Sequence, residues 1–212
     1  VRFCKAYGYG LKLVPMEFSG IIPSVMSGKC DFAILTITDE RKESVLFSYP
    51  NARAGNIFAV RKENNNTNIK SSKRAAKYES LSELAGKKIA VATGTTHPQI
   101  AAKFVPTAEL LYFNTPIDAL NAVKAGKADA ACTGTSVLKN MMAEDDSLVP
   151  FGEQLTVIET APMFAKNEKG KKLCGQFSDF AKSCWDNGTI KELENFWLEQ
   201  KESLRIMKDY SQ

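Results

Sequence analysis

The chain has 212 residues, 44% of them hydrophobic and 25% charged, with a formal net charge of +4. That is enough apolar material for two packed lobes of about 100 residues each, and the basic excess is too mild to mark a nucleic-acid surface. No run approaches ~18 uninterrupted apolar residues, so no transmembrane helix is expected.

Val1–Tyr7 reads as the end of a helix, which implies a segment upstream of Val1; no signal peptide is present. Leu11–Val14 is a short strand-like run closed by Pro15. Gly20–Met26 places Ile21, Ile22 and Val25 at helical spacing and stops at Gly28. Asp31–Ile37 is an apolar strand, and Asn56–Val60 is another, entered from Gly55. The stretch from Lys62 to about Tyr78 is polar, carries the basic cluster Lys70, Lys73, Arg74 and Lys77, and reads as a solvated loop at a boundary or an insertion.

Ser80 and Glu83 have capping-box spacing ahead of a short helix ended by Gly86. After it, Lys88–Ala92, Glu109–Phe113 and Ala128–Cys132 are strands, separated and followed by helices over Thr96–Phe104, Pro116–Ala125 and Ser136–Met142. Ile89, Ala90 and Val91 are apolar on both strand faces, as in a buried parallel sheet. This alternation with short connections predicts a parallel α/β sheet with ligands at the carboxyl ends of its strands. Those ends fall near Ala92–Thr96 and Thr133–Thr135. The last part is helical. Leu173, Phe177, Phe180, Ala181, Cys184 and Trp185 form one apolar stripe that reads as core. Gly188 ends that helix, and Ile190, Leu193, Phe196 and Trp197 begin another. In the polar tail from Lys201, Leu204, Ile206 and Met207 offer a small docking face.

Several chemistries find no support. The five cysteines (Cys4, Cys30, Cys132, Cys174 and Cys184) include no CxxC pair, so neither a zinc site nor a thioredoxin-type motif is indicated, and buried free thiols are the expectation. The one histidine, His97, stands at a helix start where a solvent-facing ring is expected, so a Ser-His-Asp or Cys-His system has little to draw on. There is no HExxH, Walker-type loop or GxGxxG. No metal or organic cofactor is expected.

Two segments suit an anion. Thr36-Ile37-Thr38 ends a strand just before the charge run Asp39-Glu40-Arg41-Lys42-Glu43, which taken alone would be a solvated helix turn. A threonine hydroxyl and a guanidinium at a strand end can jointly hold a carboxylate, because Arg presents a planar fork of donors. Gly94-Thr95-Thr96 places N–H groups and hydroxyls at a helix N-terminus, a second anion site.

In order along the chain, Met16-Glu17-Phe18-Ser19-Gly20-Ile21-Ile22-Pro23, Ser27-Gly28-Lys29-Cys30-Asp31, Thr36-Ile37-Thr38-Asp39-Glu40-Arg41-Lys42, Phe47-Ser48, Leu84-Ala85-Gly86-Lys87-Lys88-Ile89-Ala90-Val91, Gly94-Thr95-Thr96, Ala125-Gly126-Lys127-Ala128-Asp129-Ala130, Asn187-Gly188-Thr189 and Phe196-Trp197 resemble the family 3 extracellular solute-binding proteins, the glutamine-binding proteins above all. The resemblance runs from about residue 8 to 198. It implies a type II periplasmic-binding fold: two α/β lobes joined by a two-strand hinge, residues 1–54 plus 159–212 forming one lobe and 55–158 the other, closing on a ligand by hinge motion.

Carried over by position, the resemblance implies that Arg41 pairs with a ligand α-carboxylate and that Thr36 hydrogen-bonds to it. Thr96 and Thr95 donate from the other lobe, Phe18 forms an apolar wall, and Thr93, Thr133 and Gly134 lie at the pocket edge. Three departures stand out. The family's opening strand and most of its first helix are absent. Relatives carry about two more small residues between Ile34 and Leu35. Gly134 stands where the family usually has an aspartate that pairs with an α-ammonium, a charge-assisted contact often worth ~1.5–3 kcal/mol. The last departure favours a carboxylate without an amino group, or a modified amino acid.

The function implied is that of a monomeric, non-enzymatic, extracytoplasmic receptor, in the periplasm or at the outer face of the cytoplasmic membrane. It would deliver an amino acid or related carboxylate to an ABC-transporter permease. The alternatives are a sensing domain of a membrane signalling protein and a cyclohexadienyl-dehydratase-like enzyme, which needs an acid in the cleft with a raised pKa.

Overall fold

A computed structural model describes residues 1–62 and 78–199. The expected polar loop, the Lys201–Gln212 tail and the side chains of Phe196 and Trp197 lie outside the described residues. In chain order the elements are α1 (Arg2–Tyr7), a 3-10 turn (Phe18–Gly20), α2 (Ile21–Met26), β1 (Ala33–Thr36), α3 (Asp39–Ser44), β2 (Leu46–Phe47), β3 (Ala52–Arg61), a second 3-10 turn (Leu81–Leu84), β4 (Lys88–Ala92), α4 (His97–Phe104), β5 (Glu109–Phe113), α5 (Pro116–Lys124), β6 (Ala130–Gly134), α6 (Thr135–Glu144), β7 (Leu148–Phe164), α7 (Glu168–Asp186) and α8 (Thr189–Glu199). The chain forms two compact units. The first comprises Val1–Arg53 with residues 158–199, the second Ala54–Val157. The chain passes from one to the other within β3 and again within β7. No described helix is long and apolar enough to cross a membrane.

The second unit is built on β3, β6, β4 and β5. β4 runs parallel to both β5 and β6, and β3 runs antiparallel to β6. Because successive strand residues point to opposite faces, each strand feeds two cores. Phe58, Val60, Ile89, Val91 and Cys132 face one way, packing with Leu84, Ile100 and Phe151. Ile57, Ala59, Ala90 and Ala131 face the other, packing with Leu120, Val123 and Leu138 from α5 and α6. Ile89, Ala90 and Val91 are fully buried, as their apolar run predicts. Local signals set the helix starts. Thr115 accepts from the Asp118 N–H ahead of Pro116 in α5, and the capping box at Ser80 and Glu83 is formed.

In the first unit β1 and β2 both pair antiparallel with the end of β7, Leu35 opposite Ala161 and Phe47 opposite Met163. Val25, Leu35, Val45 and Met163 form its aliphatic core. The stripe on α7 reads as predicted: Phe177 and Phe180 meet Phe3 of α1 at ring-centroid distances of 4.7 and 5.7 Å. Trp185 Nε1 donates to the Pro50 carbonyl at 2.6 Å. Asn167 caps α7, and only glycine fits at position 170 in its first turn, since a Cβ there would collide with the Ala165 carbonyl.

Three expectations need correction. Leu11–Val14 is not a strand: it has no ladder partner among the described residues and its apolar side chains are exposed, and extended sequence becomes a strand only where a neighbour takes its hydrogen bonds. His97 is 8% exposed rather than solvent-facing. Among the cysteines, Cys4, Cys132 and Cys184 are buried as expected, but Cys30 and Cys174 are half-buried.

Burial in the sheet pushes the Cys132 thiol up to about 12. Its reactivity requires the thiolate, so in the native protein at pH 8 Cys132 is expected to stay unlabelled by iodoacetamide and to become labelled on unfolding; peptide mapping reads this directly. The same shift has a pH consequence. An unfolded chain ionises this thiol near its ordinary value while the folded chain holds the proton, so the contribution to stability is whole below about pH 9 and is lost as pH rises toward 12.

Candidate functional site

In the first unit the expected residues gather where β1 meets α3. Thr38 caps α3 by accepting from the Arg41 N–H at 3.2 Å. That cap fixes Arg41 in the first turn and sends its side chain back toward the strand end, where Nη1 donates to the Thr36 carbonyl at 2.9 Å. Arg41 is 8% exposed. Burial lowers the pKa of its guanidinium, opposed by the charge of Glu40, yet an arginine remains charged in a protein. A guanidinium presents a planar fork of charge-assisted donors, so this corner of the fold offers a carboxylate a suitable partner. Phe18 is half-buried and packs on the cluster of Val25, Leu35, Val45 and Met163. Its ring therefore serves the core as well as any ligand.

In the second unit β4 and β6 end at the same edge of the sheet, since they run parallel. Thr93 follows β4, exposed, and its N–H donates to the Phe113 carbonyl at 2.9 Å. Gly94 has φ 77, a left-handed conformation that favours glycine. Thr95 is turned inward: its hydroxyl donates to the Ala92 carbonyl at 2.7 Å and accepts from the His97 N–H at 3.1 Å. The proton assigned to a ligand from the sequence is therefore engaged inside the turn. Thr96 precedes α4 with no side-chain cap. At the end of β6, Thr133 is wholly buried, its Oγ1 without a hydrogen-bond partner among the described residues, while Gly134 is half-buried and begins α6.

The structure thus brings Thr36 and Arg41 together in one unit. In the other it places the Thr93–Thr96 turn and the Thr133–Gly134 strand end on one sheet edge. A groove of about 550 Å³ along β5 and α5, lined by Tyr112, Asn114, Asp118, Asn121 and Lys127 among others, contains none of the expected ligand residues. Sequence reasoning passed over Asn56, which is 1% exposed and donates from Nδ2 to Thr156 Oγ1 at 2.9 Å. Its one signal was an amide at the head of an otherwise apolar strand. Among the described residues no group of His, Cys, Asp and Glu side chains is arranged to hold a metal ion.

Residues 2–200 match the family described as bacterial extracellular solute-binding proteins, family 3. The chain is 30% identical over 155 residues to a probable histidine-binding protein of Campylobacter jejuni, covering 72% of this chain and 56% of that protein. It is 28% identical over 183 residues to the glutamine-binding protein GlnH of an ABC transporter of Bacillus subtilis, covering 84% and 62%. The chain therefore spans little more than half the length of these two relatives. Among solved structures, the ancestral amino acid-binding protein AncCDT-1, described as a precursor of cyclohexadienyl dehydratase, superposes with a TM-score of 0.75 at 29% identity, covering 93% of this chain and 81% of that one.

Proposed function

The chain belongs to the bacterial extracellular solute-binding proteins, family 3, and from that premise we propose that it is an extracytoplasmic receptor for a small polar carboxylate, an amino acid or a close analogue, which it hands to an ABC-transporter permease. One observation carries the ligand class: a guanidinium that is 8% exposed, anchored on the Thr36 carbonyl at the end of β1. Its planar fork of donors can meet a ligand carboxylate through paired, charge-assisted hydrogen bonds. Thr36 supplies a second polar group beside it. In the second unit Thr96, at the uncapped start of α4, is the donor we assign by position in preference to Thr95.

The reading is non-enzymatic. The dehydratase alternative gains a relative in AncCDT-1, although that protein is itself named as amino acid-binding. It needs a carboxylic acid at the site, and the strand end that could present one carries Gly134.

A thermal-shift screen of the protein against amino acids, their oxo and hydroxy analogues and small dicarboxylates tests the proposal. A ligand at ~100 times its Kd adds ~2.7 kcal/mol, about 5–10 °C for a chain of this size. One clear hit among the acids is the expected result. Silence across the whole panel would count against a carboxylate receptor, and turnover of a prephenate-like substrate would favour the enzyme.

A further inference from the structure

β5 is the outer strand of the second unit's sheet: β4 lies on one side of it, and no strand among the described residues lies on the other. The bonds at its two ends fix which backbone groups face outward. The Glu109 N–H donates to the Lys87 carbonyl at 2.9 Å, and the Phe113 carbonyl accepts from the Thr93 N–H at 2.9 Å. In a parallel ladder every second residue spends both its N–H and its C=O on one neighbour. Glu109, Leu111 and Phe113 therefore serve β4, while Leu110 and Tyr112 turn theirs to the open edge. The strand has no Pro, no Lys and no break in register to blunt that edge.

Beside the edge runs the groove of about 550 Å³ between β5 and α5, and its two ends carry opposite charges. Asp118, in the first turn of α5, lies where β5 stops, since only Asn114 and Thr115 separate strand from helix. Lys127 lies where β5 starts: two residues on, the Asp129 N–H donates to the Lys88 carbonyl at 2.8 Å, and Lys88 stands opposite Glu109 in the ladder. The rise of α5 from Asp118 to Lys124 already separates the two ends by ~9 Å. Both charged residues are exposed. Thr115 engages one carboxylate oxygen of Asp118 at 2.7 Å. Lys124 is paired with Asp145, whereas Lys127 has no ion-pair partner among the described residues.

We propose that this edge and groove form a second ligand site, for a free peptide of about three to four residues that adds to β5 as an antiparallel strand. Its ammonium terminus meets Asp118 and its carboxylate terminus meets Lys127. The length follows from the spacing of the charges at about 3.4 Å per residue, and the direction from which charge stands at which end of β5. The outward N–H and C=O groups of Leu110 and Tyr112 bond to the peptide main chain. The Asn121 amide and the Tyr112 ring, 59% exposed, are left to meet its side chains.

Titration calorimetry on the whole chain with tetra-alanine tests this. The peptide is expected to bind, and N-acetylation or C-amidation each to weaken it by roughly two- to fivefold, the worth of one exposed ion pair. Asp118→Asn should remove the effect of acetylation and keep that of amidation, and Lys127→Gln should do the reverse. Of two peptides N-methylated at the second or the third residue, one should lose binding and the other keep it, because alternate amides of a strand face the ladder. Arg41→Ala should leave all of this unchanged. No binding of tetra-alanine, equal binding of the capped forms, equal loss from either N-methylation, or dependence on Arg41 would each overturn the proposal. So would sedimentation that shows the protein alone as a dimer which the peptide dissociates, a result that gives the edge to a second copy of the chain.

Discussion

Arg41→Ala is expected to reduce the affinity for any acid ligand by at least about 100-fold, to the point where calorimetry records no binding. Truncating one partner of a buried, hydrogen-bonded charge pair costs about 2–5 kcal/mol, and each 1.4 kcal/mol is about tenfold. The arginine is buried, its N–H donates to the Thr38 cap and its side chain donates to the Thr36 carbonyl, so little reorganisation is available to compensate. Arg41→Lys keeps the charge and loses the planar fork and the strand-end anchor, and should fall between the two. The melting midpoint without ligand separates lost binding from lost folding. Affinity retained within threefold in Arg41→Ala would falsify the assignment of the carboxylate to this residue.

Phe58→Ala carries the largest expected effect on stability, about 3–5 kcal/mol. Phe58 is fully buried in β3 and packs with Val60, Leu84, Ile89, Val91, Ile100, Cys132 and Phe151. Those partners come from strands, the 3-10 turn and α4, and rigid strands bonded on both sides cannot collapse into the space left by a ring. The loss therefore includes a cavity as well as the transfer of the side chain. At about 2–4 °C per kcal/mol for a chain of this size, the melting midpoint should drop by ~10 °C. Tyr112→Ala, on an exposed side chain of edge strand β5, serves as the control and should fall within about ±0.5 kcal/mol of the unmodified protein. A similar response from both variants would place the core elsewhere.

The second unit was largely legible because its signals are local. β4 and β5 begin and end where the apolar runs do, with glycine, proline and capping residues as punctuation. β7 was not located from the residues: its 17 positions include Pro150, Gly152 and Pro162 and the polar step Gly152-Glu153-Gln154, which interrupt the apolar run and the alternation by which strands are recognised. Leu11–Val14 shows the reverse error, since its composition suits a strand but nothing among the described residues pairs with it. At the site, the union of Arg41 with Thr36 could be anticipated because five residues separate them and Thr38 is a recognisable cap. The pairing of Asn56 with Gly134 could not, because strand register is set by packing between segments far apart in sequence. The inward turn of Thr95 and the burial of His97 likewise follow from how α4 seats on β4, which no spacing records.

The order in which the ribosome delivers these strands follows from the two passages of the chain between units. Leu35 must wait for Ala161 before β1 has a partner, more than a hundred residues later, which at about 5–20 residues per second is several seconds of synthesis. Among the described residues the second unit, by contrast, draws on a single stretch of the sequence. Its sheet is complete in sequence before the last strand and helices of the first unit emerge, so vectorial synthesis favours a folded Ala54–Val157 unit as the first compact species on the nascent chain. Until β7 arrives, β1 lacks the strand it pairs with among the described residues, and Val25, Leu35 and Val45 lack Met163. That interval is where this chain is most open to misassociation and where a holding chaperone would find its substrate.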